Sequence, residues 1–385
     1  MRPLRPTPVA LAFGLAFAGT AVAQPATPGA DTALTLGQVV VSSGASGPLE
    51  ARRLLTSVDI LPGERIESQV AQNNWELLGQ VPGVMLTQFG QGTTSGKFSM
   101  RAFNGEGEIN AVKLLIDGVP SNSNDGNMPY IDLAPRVDID AIEVVRGTND
   151  ARYGLHNIAG NANIATRSGG NYLLGRASYG SFNATDLQAA AGIEKDGLAQ
   201  NYAVAVQRTD GYRDHSEAQG ASFSGKWFFT PQGGTSRFGL IARHYTASAE
   251  EAGYLTRSQR TLNPDQSPAH NATDEDRRQV SQFALQGESE LGGQLFWNGQ
   301  VYLNNLDDHR FVKFSAGASQ QERIVLETHV GASTSVTWRG GQTAIGRISV
   351  MGGLDAEHQD NRSQRYNTLA QVRQTQTRNQ QFDFD

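Results

Sequence analysis

The sequence predicts a small α+β domain followed by antiparallel strands of a transmembrane β-barrel. Three observations carry that expectation. Helix and strand signals alternate between Gly-, Asn- and Asp-rich turns as far as residue 169; from residue 170 the texture becomes apolar/polar alternation of period two; and the connections between those later segments take turns between short and long.

The first element, residues 1–23, reads as a secretory signal peptide. Arg2 and Arg5 precede an apolar run over residues 9–22, and Ala21-Val22-Ala23 supplies the small residues that a signal peptidase accepts. The run is shorter than the roughly 20 apolar residues that a bilayer-spanning helix needs. Residues 24–48 form a leader whose early Pro, Gly, Ala and Thr composition buries too little apolar area to fold. Within it, residues 34–43 hold a β-branched run, Val39-Val40-Val41-Ser42, suited to pairing as an added strand on a partner's sheet edge. The same run reads alternatively as the first strand of the domain that follows.

Residues 49–169 carry the α+β signals. Pro62-Gly63 opens a short helix toward residue 70, Asn74 is placed to cap a second one through Leu78, and Pro82-Gly83 stops it. Strands are expected over residues 84–88, 98–103, 111–116, 141–146 and 163–167. Asp117-Gly118 matches a tight hairpin turn.

Residues 170–385 hold about nine or ten strands. Ile324, Leu326, Thr328, Val330, Ala332, Thr334, Val336 and Trp338 alternate with Glu327, His329, Ser333 and Ser335, so the strand is apolar on one side only. Residues 221–229, 295–304 and 347–357 repeat the pattern. Strands of about ten residues with this dyad repeat suit a bilayer-crossing barrel. Short turns at residues 195–197, 231–236, 292–293 and 339–342 contrast with long polar loops at 247–278 and 307–322. Outer-membrane barrels have 22 strands when plugged, so the segment corresponds to an incomplete barrel.

Composition excludes several function classes. The chain has no cysteine, so neither disulfides nor thiol chemistry contributes. A net charge of −6 leaves no basic face for nucleic acid. Mean hydropathy is −0.41, which a barrel tolerates because lipid-facing and lumen-facing residues average out. The seven histidines show no zincin-like pair, and neither a phosphate loop nor a nucleophile elbow occurs. Asp214-His215-Ser216-Glu217 is expected to be a surface loop. No enzyme, metal or cofactor is read.

The segments Ser99-Met100-Arg101-Ala102-Phe103, Leu115-Ile116-Asp117-Gly118-Val119-Pro120, Ile142-Glu143-Val144-Val145-Arg146-Gly147, Ala151-Arg152-Tyr153-Gly154 and Asn163-Ile164-Ala165-Thr166-Arg167 resemble, in order and spacing, the plug domain of TonB-dependent outer-membrane transporters. Asn157 to Ile164 departs from the family pattern, where a glycine pair is usual. The resemblance implies energy-coupled uptake of a scarce nutrient across a Gram-negative outer membrane, with outer-membrane lipid, a small-molecule ligand and a TonB-type periplasmic protein as partners. An iron chelate such as a ferric siderophore is the expected cargo, with cobalamin, other metal chelates and oligosaccharides as alternatives; a secreted all-β binding or adhesion protein is the rival of another class. It also implies a TonB box at Leu36, Val39, Val40, Val41 and Ser42. Arg101 and Arg146 would be plug arginines latched to barrel carboxylates. Ligand contacts would come from two plug apices, through Gln88, Gln91, Asn122, Asn124, Asn127 and Tyr130.

The export signal has a direct check: N-terminal sequencing of the membrane-extracted protein is expected to start at Gln24, and a start at Met1 would remove the export reading.

Overall fold

The computed structural model describes residues 57–69, 71, 73–91, 94–103, 111–123, 125–147, 157–343 and 346–384. The signal peptide, the leader with its box-like segment, and Asn124 lie outside them.

The N-terminal domain is built on a five-stranded sheet in the order β1-β6-β7-β4-β5. Its strands are β1 (Ser57–Pro62), β4 (Val112–Ile116), β5 (Val119–Pro120), β6 (Ile139–Arg146) and β7 (Gly160–Thr166). β4 and β7 run parallel and the other neighbours antiparallel. Every residue of β7 is buried, as expected for a central strand covered on both faces. A separate hairpin pairs β2 (Val84–Gln91) with β3 (Thr94–Met100). Two short helices, α1 (Gly63–Glu67) and α2 (Asn74–Leu77), pack on the sheet.

Two details differ from the sequence expectation. β1 was not foreseen, because Ser57-Val58-Asp59-Ile60 is a short alternation with a proline at its end. The cap of α2 is Asn73, whose backbone N–H donates to the Glu76 carboxylate at 3.3 Å. Asn74 instead lies inside the helix, buried, and its amide donates to the carbonyls of Ile131 (3.1 Å) and Ala134 (2.9 Å). It ties the helix to the turn over Pro129–Leu133.

The second part is one ten-stranded antiparallel meander, β8 to β17, in sequence order. Its strands are β8 (Tyr172–Tyr179), β9 (Thr185–Lys195), β10 (Leu198–Thr209), β11 (Ala218–Phe229), β12 (Ser236–Glu250), β13 (Glu275–Gly292), β14 (Leu295–Val312), β15 (Gln320–Thr343), β16 (Gly346–Leu369) and β17 (Val372–Phe384). The sheet is not closed: among the described residues β8 and β17 pair on one side only. Among the described residues no helix is long and apolar enough to cross a membrane.

The strands are longer than the ten or so residues expected, reaching 24 in β15 and β16. The loops are shorter in consequence, covering 251–274 and 313–319. The outward face explains the extra length. On β16 it runs Ile348, Val350, Leu354, Ala356 and then His358, Asp360, Arg362, Gln364. Across β12 to β15 the change occurs in register: Ala242, Phe283, Leu303 and Val330 stand side by side, and the next outward row is His244, Ser281, Asn305 and Thr328. On β16 it comes one step earlier, at His358 beside Val330, and on β11 and β10 the row of His244 is still apolar, at Phe223 and Val204. His244 Nδ1 meets Ser281 Oγ at 2.9 Å, and Asn305 Nδ2 donates to Thr328 Oγ1 at 2.9 Å. A lipid-facing band therefore ends along an edge oblique to the register rows, as tilted strands require, and the strands continue beyond it toward the loop end.

The opposite end is closed by tight turns. Asp196-Gly197 and Gly293-Gln294 all have positive φ, the type I′ geometry that suits the right-handed twist of antiparallel strands.

Replacing Asn74 by Leu leaves two buried carbonyls without donors, a loss of about 1–3 kcal/mol. The expected readout is earlier protease cleavage within residues 70–135 on a temperature ramp, with unchanged protection of β9 to β16.

Candidate functional site

The face of the meander that does not carry the apolar band encloses the N-terminal domain. Tyr245, Ala247, Val280 and Leu306 of the strands share one apolar cluster with Leu77, Leu114, Tyr130, Leu133, Ile142 and Ile164 of the domain. Val119, at the tip of the β4–β5 hairpin, packs among Ala199, Phe228, Ile241, Ala284 and Tyr302. Arg176 of β8 donates to the Glu67 and Gln69 carbonyls at 3.1 Å each, satisfying the last turn of α1 from the outside.

At the centre of this contact lies a buried set of two carboxylates and two cations. Asp117 occupies the first position of the hairpin turn, with φ +49, and Gly118 follows at φ +78. Its carboxylate accepts from the backbone N–H of Thr166 (2.7 Å) and from the Thr166 hydroxyl (2.6 Å). Arg243 of β12 reaches it through Nη2, and Arg243 Nη1 donates to Gln282 Oε1 at 2.8 Å. Lys226 of β11 pairs with Asp138 at 2.8 Å and also donates to Thr166 Oγ1. Lys226 and Arg243 are each only 1% exposed. Burial pushes the Asp138 carboxyl above the usual carboxylate range, and the adjacent ammonium of Lys226 pulls it back.

The hairpin tip is held by a second tier of neutral bonds. Gln286 Nε2 donates to the Asp117 carbonyl (2.8 Å), Gln300 Nε2 to Gly118 (3.0 Å) and Asn304 Nδ2 to Pro120 (2.7 Å). Gln282 Nε2 donates to Ser121 Oγ at 3.1 Å. Two adjacent strands, β13 and β14, thus grip four of the five residues from Asp117 to Ser121.

These residues were not singled out in the sequence. Asp117-Gly118 already had a sufficient local explanation as a turn. A signal was nonetheless present: Lys226 shares its inward row with Ser222 and Ser224, and Arg243 lies between inward Ile241 and Tyr245. A lone cation at an enclosed position demands a partner across the interface.

The arginines expected to latch onto barrel carboxylates are placed differently. Arg146 pairs at 2.6 Å with Asp59 of β1 and donates to the Pro82 carbonyl at 2.6 Å. Arg101 is exposed, has φ +51, and donates to the Arg146 carbonyl at 3.4 Å. The contacts described for both stay within the N-terminal domain, and the two ion pairs Asp117–Arg243 and Asp138–Lys226 place the acid on that domain and the base on the wall.

Of the expected ligand contacts, Gln88 is exposed on β2, and Gln91 ends that strand. Asn122 is engaged with β4, accepting from Leu114 N–H (2.7 Å) and donating to the Val112 carbonyl (3.2 Å). Asn127 donates from its backbone and its amide to Asp125, at 3.0 and 2.6 Å. Tyr130 is wholly buried in the core. His215 meets the Asp274 carbonyl at 2.8 Å, while Ser216 Oγ bonds within its own turn to Arg213.

Residues 50–161 match the family model described as TonB-dependent Receptor Plug Domain. The vitamin B12 transporter BtuB of Vibrio vulnificus is 31% identical over 130 residues, 34% of this chain and 20% of that protein. The iron-regulated outer membrane virulence protein of Vibrio cholerae is 31% identical over 176 residues, 43% of this chain and 25% of the other. Among solved structures, the unliganded ferric citrate transporter FecA superposes with a TM-score of 0.71 at 18% identity, over 85% of this chain and 51% of its own. The pyoverdine receptor FpvA of Pseudomonas aeruginosa gives 0.68 at 13% identity, over 85% and 52%. The chain spans about half the length of these solved receptors.

Removing one member of a buried ion pair costs about 3–5 kcal/mol. Arg243→Met is therefore expected to accelerate amide hydrogen exchange over residues 114–121 by roughly 100-fold or more, whereas Arg101→Ala, at an exposed position, changes stability by less than about 0.5 kcal/mol. Equal exchange in the two variants would show that the tetrad does not hold the hairpin.

Proposed function

We propose that this chain, a TonB-dependent receptor plug domain followed by ten antiparallel barrel strands, serves an outer-membrane receptor that imports a ferric siderophore or another iron chelate. The observation that carries the reading is the plug seated on the inner face of the sheet through Asp117 of the hairpin and Asp138 just before β6. A passage filled by a separately folded domain is shut at rest, and substrate passes only when force or rearrangement moves that domain.

The inner surface beyond the plug, toward the loop end, forms a polar cup. Arg213 ties two loops together there, donating to the carbonyls of Ala252 (3.0 Å) and Gln266 (2.7 Å). Ligand would enter from this end, which faces the exterior. Gln88, Gln91, Asn124 and Asn127 remain proposed contacts, and Tyr130 would require the plug to shift before it could touch a ligand. The similarity to a vitamin B12 transporter supports cobalamin as a second reading of the cargo. Growth of a deletion strain on a panel of single iron sources, with cobalamin-dependent growth as a parallel arm, tells the two apart.

Energy would arrive through Leu36, Val39, Val40, Val41 and Ser42, added as a strand to a periplasmic TonB-type partner. Proline at such a position removes a backbone donor. Val40→Pro in the full-length protein is expected to abolish uptake and to leave ligand binding intact; normal uptake would mean that the coupling segment lies elsewhere.

A further inference from the structure

Four arginines stand in one row across four consecutive strands. Arg310 of β14 is directly opposite Arg323 of β15, Arg323 is opposite Arg365 of β16, and Arg365 is opposite Arg378 of β17. Directly opposed residues point to the same face of a sheet. That face is the inner one, shared through strand alternation with Leu306 and Val325, which pack against the plug core. The row lies at the loop end, since β14 stops at Val312 and β15 begins at Gln320. With strands about 4.8 Å apart, it extends roughly 15 Å.

Like charges directly opposite one another destabilise a sheet, and here three such pairs follow in succession. Elsewhere the same wall matches opposite charges: Arg278 faces Asp308 in register and is paired with it. Counter-charge for the row gathers at its first end, where Asp276 of β13 is directly opposite Arg310. Glu251 answers Arg310 through two bonds at 2.6 and 2.7 Å. Arg323 rests on the neutral Gln321 Oε1 at 3.2 and 3.0 Å, with its guanidinium 4.8 Å from the centre of the Phe314 ring. Arg365 Nε is buried without a hydrogen-bond partner. Among the described residues, Arg310 alone of the four guanidinium groups forms an ion pair with a carboxylate.

We infer that this row is a binding subsite for a small polyanion bearing several carboxylates, such as a metal–carboxylate chelate, which would supply counter-charge to Arg323, Arg365 and Arg378. The inference rests on the receptor reading and narrows its cargo toward anionic chelates. Because the row faces inward, lipid headgroups on the outer surface do not reach it. Guanidinium groups present paired donors to carboxylate oxygens, and the row repeats that fork at the spacing of adjacent strands.

The test uses the full-length receptor in detergent, with iron(III)–citrate as the anionic probe and ferrioxamine B as a probe without carboxylates. Arg323→Gln combined with Arg365→Gln is expected to weaken iron(III)–citrate binding by roughly 100-fold, to remove most of its salt dependence, and to leave any ferrioxamine binding unchanged. Because the double substitution relieves like-charge repulsion, the variant is expected to keep its heat-modifiable migration at the wild-type temperature or above. The Arg→Lys pair is expected to recover part of the affinity. Iron(III)–citrate binding by the glutamine variant at wild-type strength would overturn the proposal, as would wild-type receptor that binds no iron(III)–citrate. Loss of both probes together would point to a collapsed cup and overturn it also. Failure of the wild-type receptor to transport any chelate would count against the receptor reading itself.

Discussion

The contact between Asp117 and Asp138 of the plug and Arg243 and Lys226 of the wall is the constraint on which the rest of the structure turns. Two cations enclosed at 1% exposure are tolerable only if anions meet them, because isolated buried charge costs far more than a fold's whole stability margin. The Thr166 hydroxyl joins both pairs, accepting from Lys226 and Arg243 and donating to Asp117. Neither half is therefore satisfied alone. The plug must present the β4–β5 turn and the end of β7 together, in one orientation, or leave charges stranded on the wall.

Apolar burial adds adhesion but little direction. The cluster around Tyr245, Val280 and Leu306 would accept small slips, as hydrophobic cores of adequate volume do. The carbonyls of Asp117, Gly118 and Pro120, each met by one amide side chain, do not. Such an interface is suited to being either docked or released. Its many bonds are short-ranged, so a displacement of a few ångströms forfeits most of them together, and water can then solvate the freed charges.

Lipid-facing residues were legible because each must be apolar whatever its neighbours do: Val330, Ala332, Val336 and Trp338 could be assigned from alternation alone, and their partners on β14, Leu303, Val301, Trp297 and Leu295, repeat the rule. The hairpin turn at Asp117-Gly118 was legible for the same local reason. Strand length was not, since β16 keeps its alternation beyond the membrane with polar residues on both faces, where periodicity carries no hydrophobic signal. Interface charges were not legible either. Lys226 and Asp138 lie 88 positions apart, and only the folded register brings them together. Arg146 shows the same limit: its pairing with Asp59 depends on β1, a strand too short to foresee.

The length of β15 and β16 has a consequence for how far the molecule reaches. At about 3.3 Å per residue, 24 residues measure roughly 80 Å along the strand, and a barrel tilt near 40° converts that to roughly 60 Å of height. A hydrocarbon layer of about 30 Å accounts for half. The remainder stands as a stiff parapet, hydrogen-bonded strand to strand, above the lipid surface. On the receptor reading, a solute would meet ordered, hydrogen-bonded protein well before it met the bilayer.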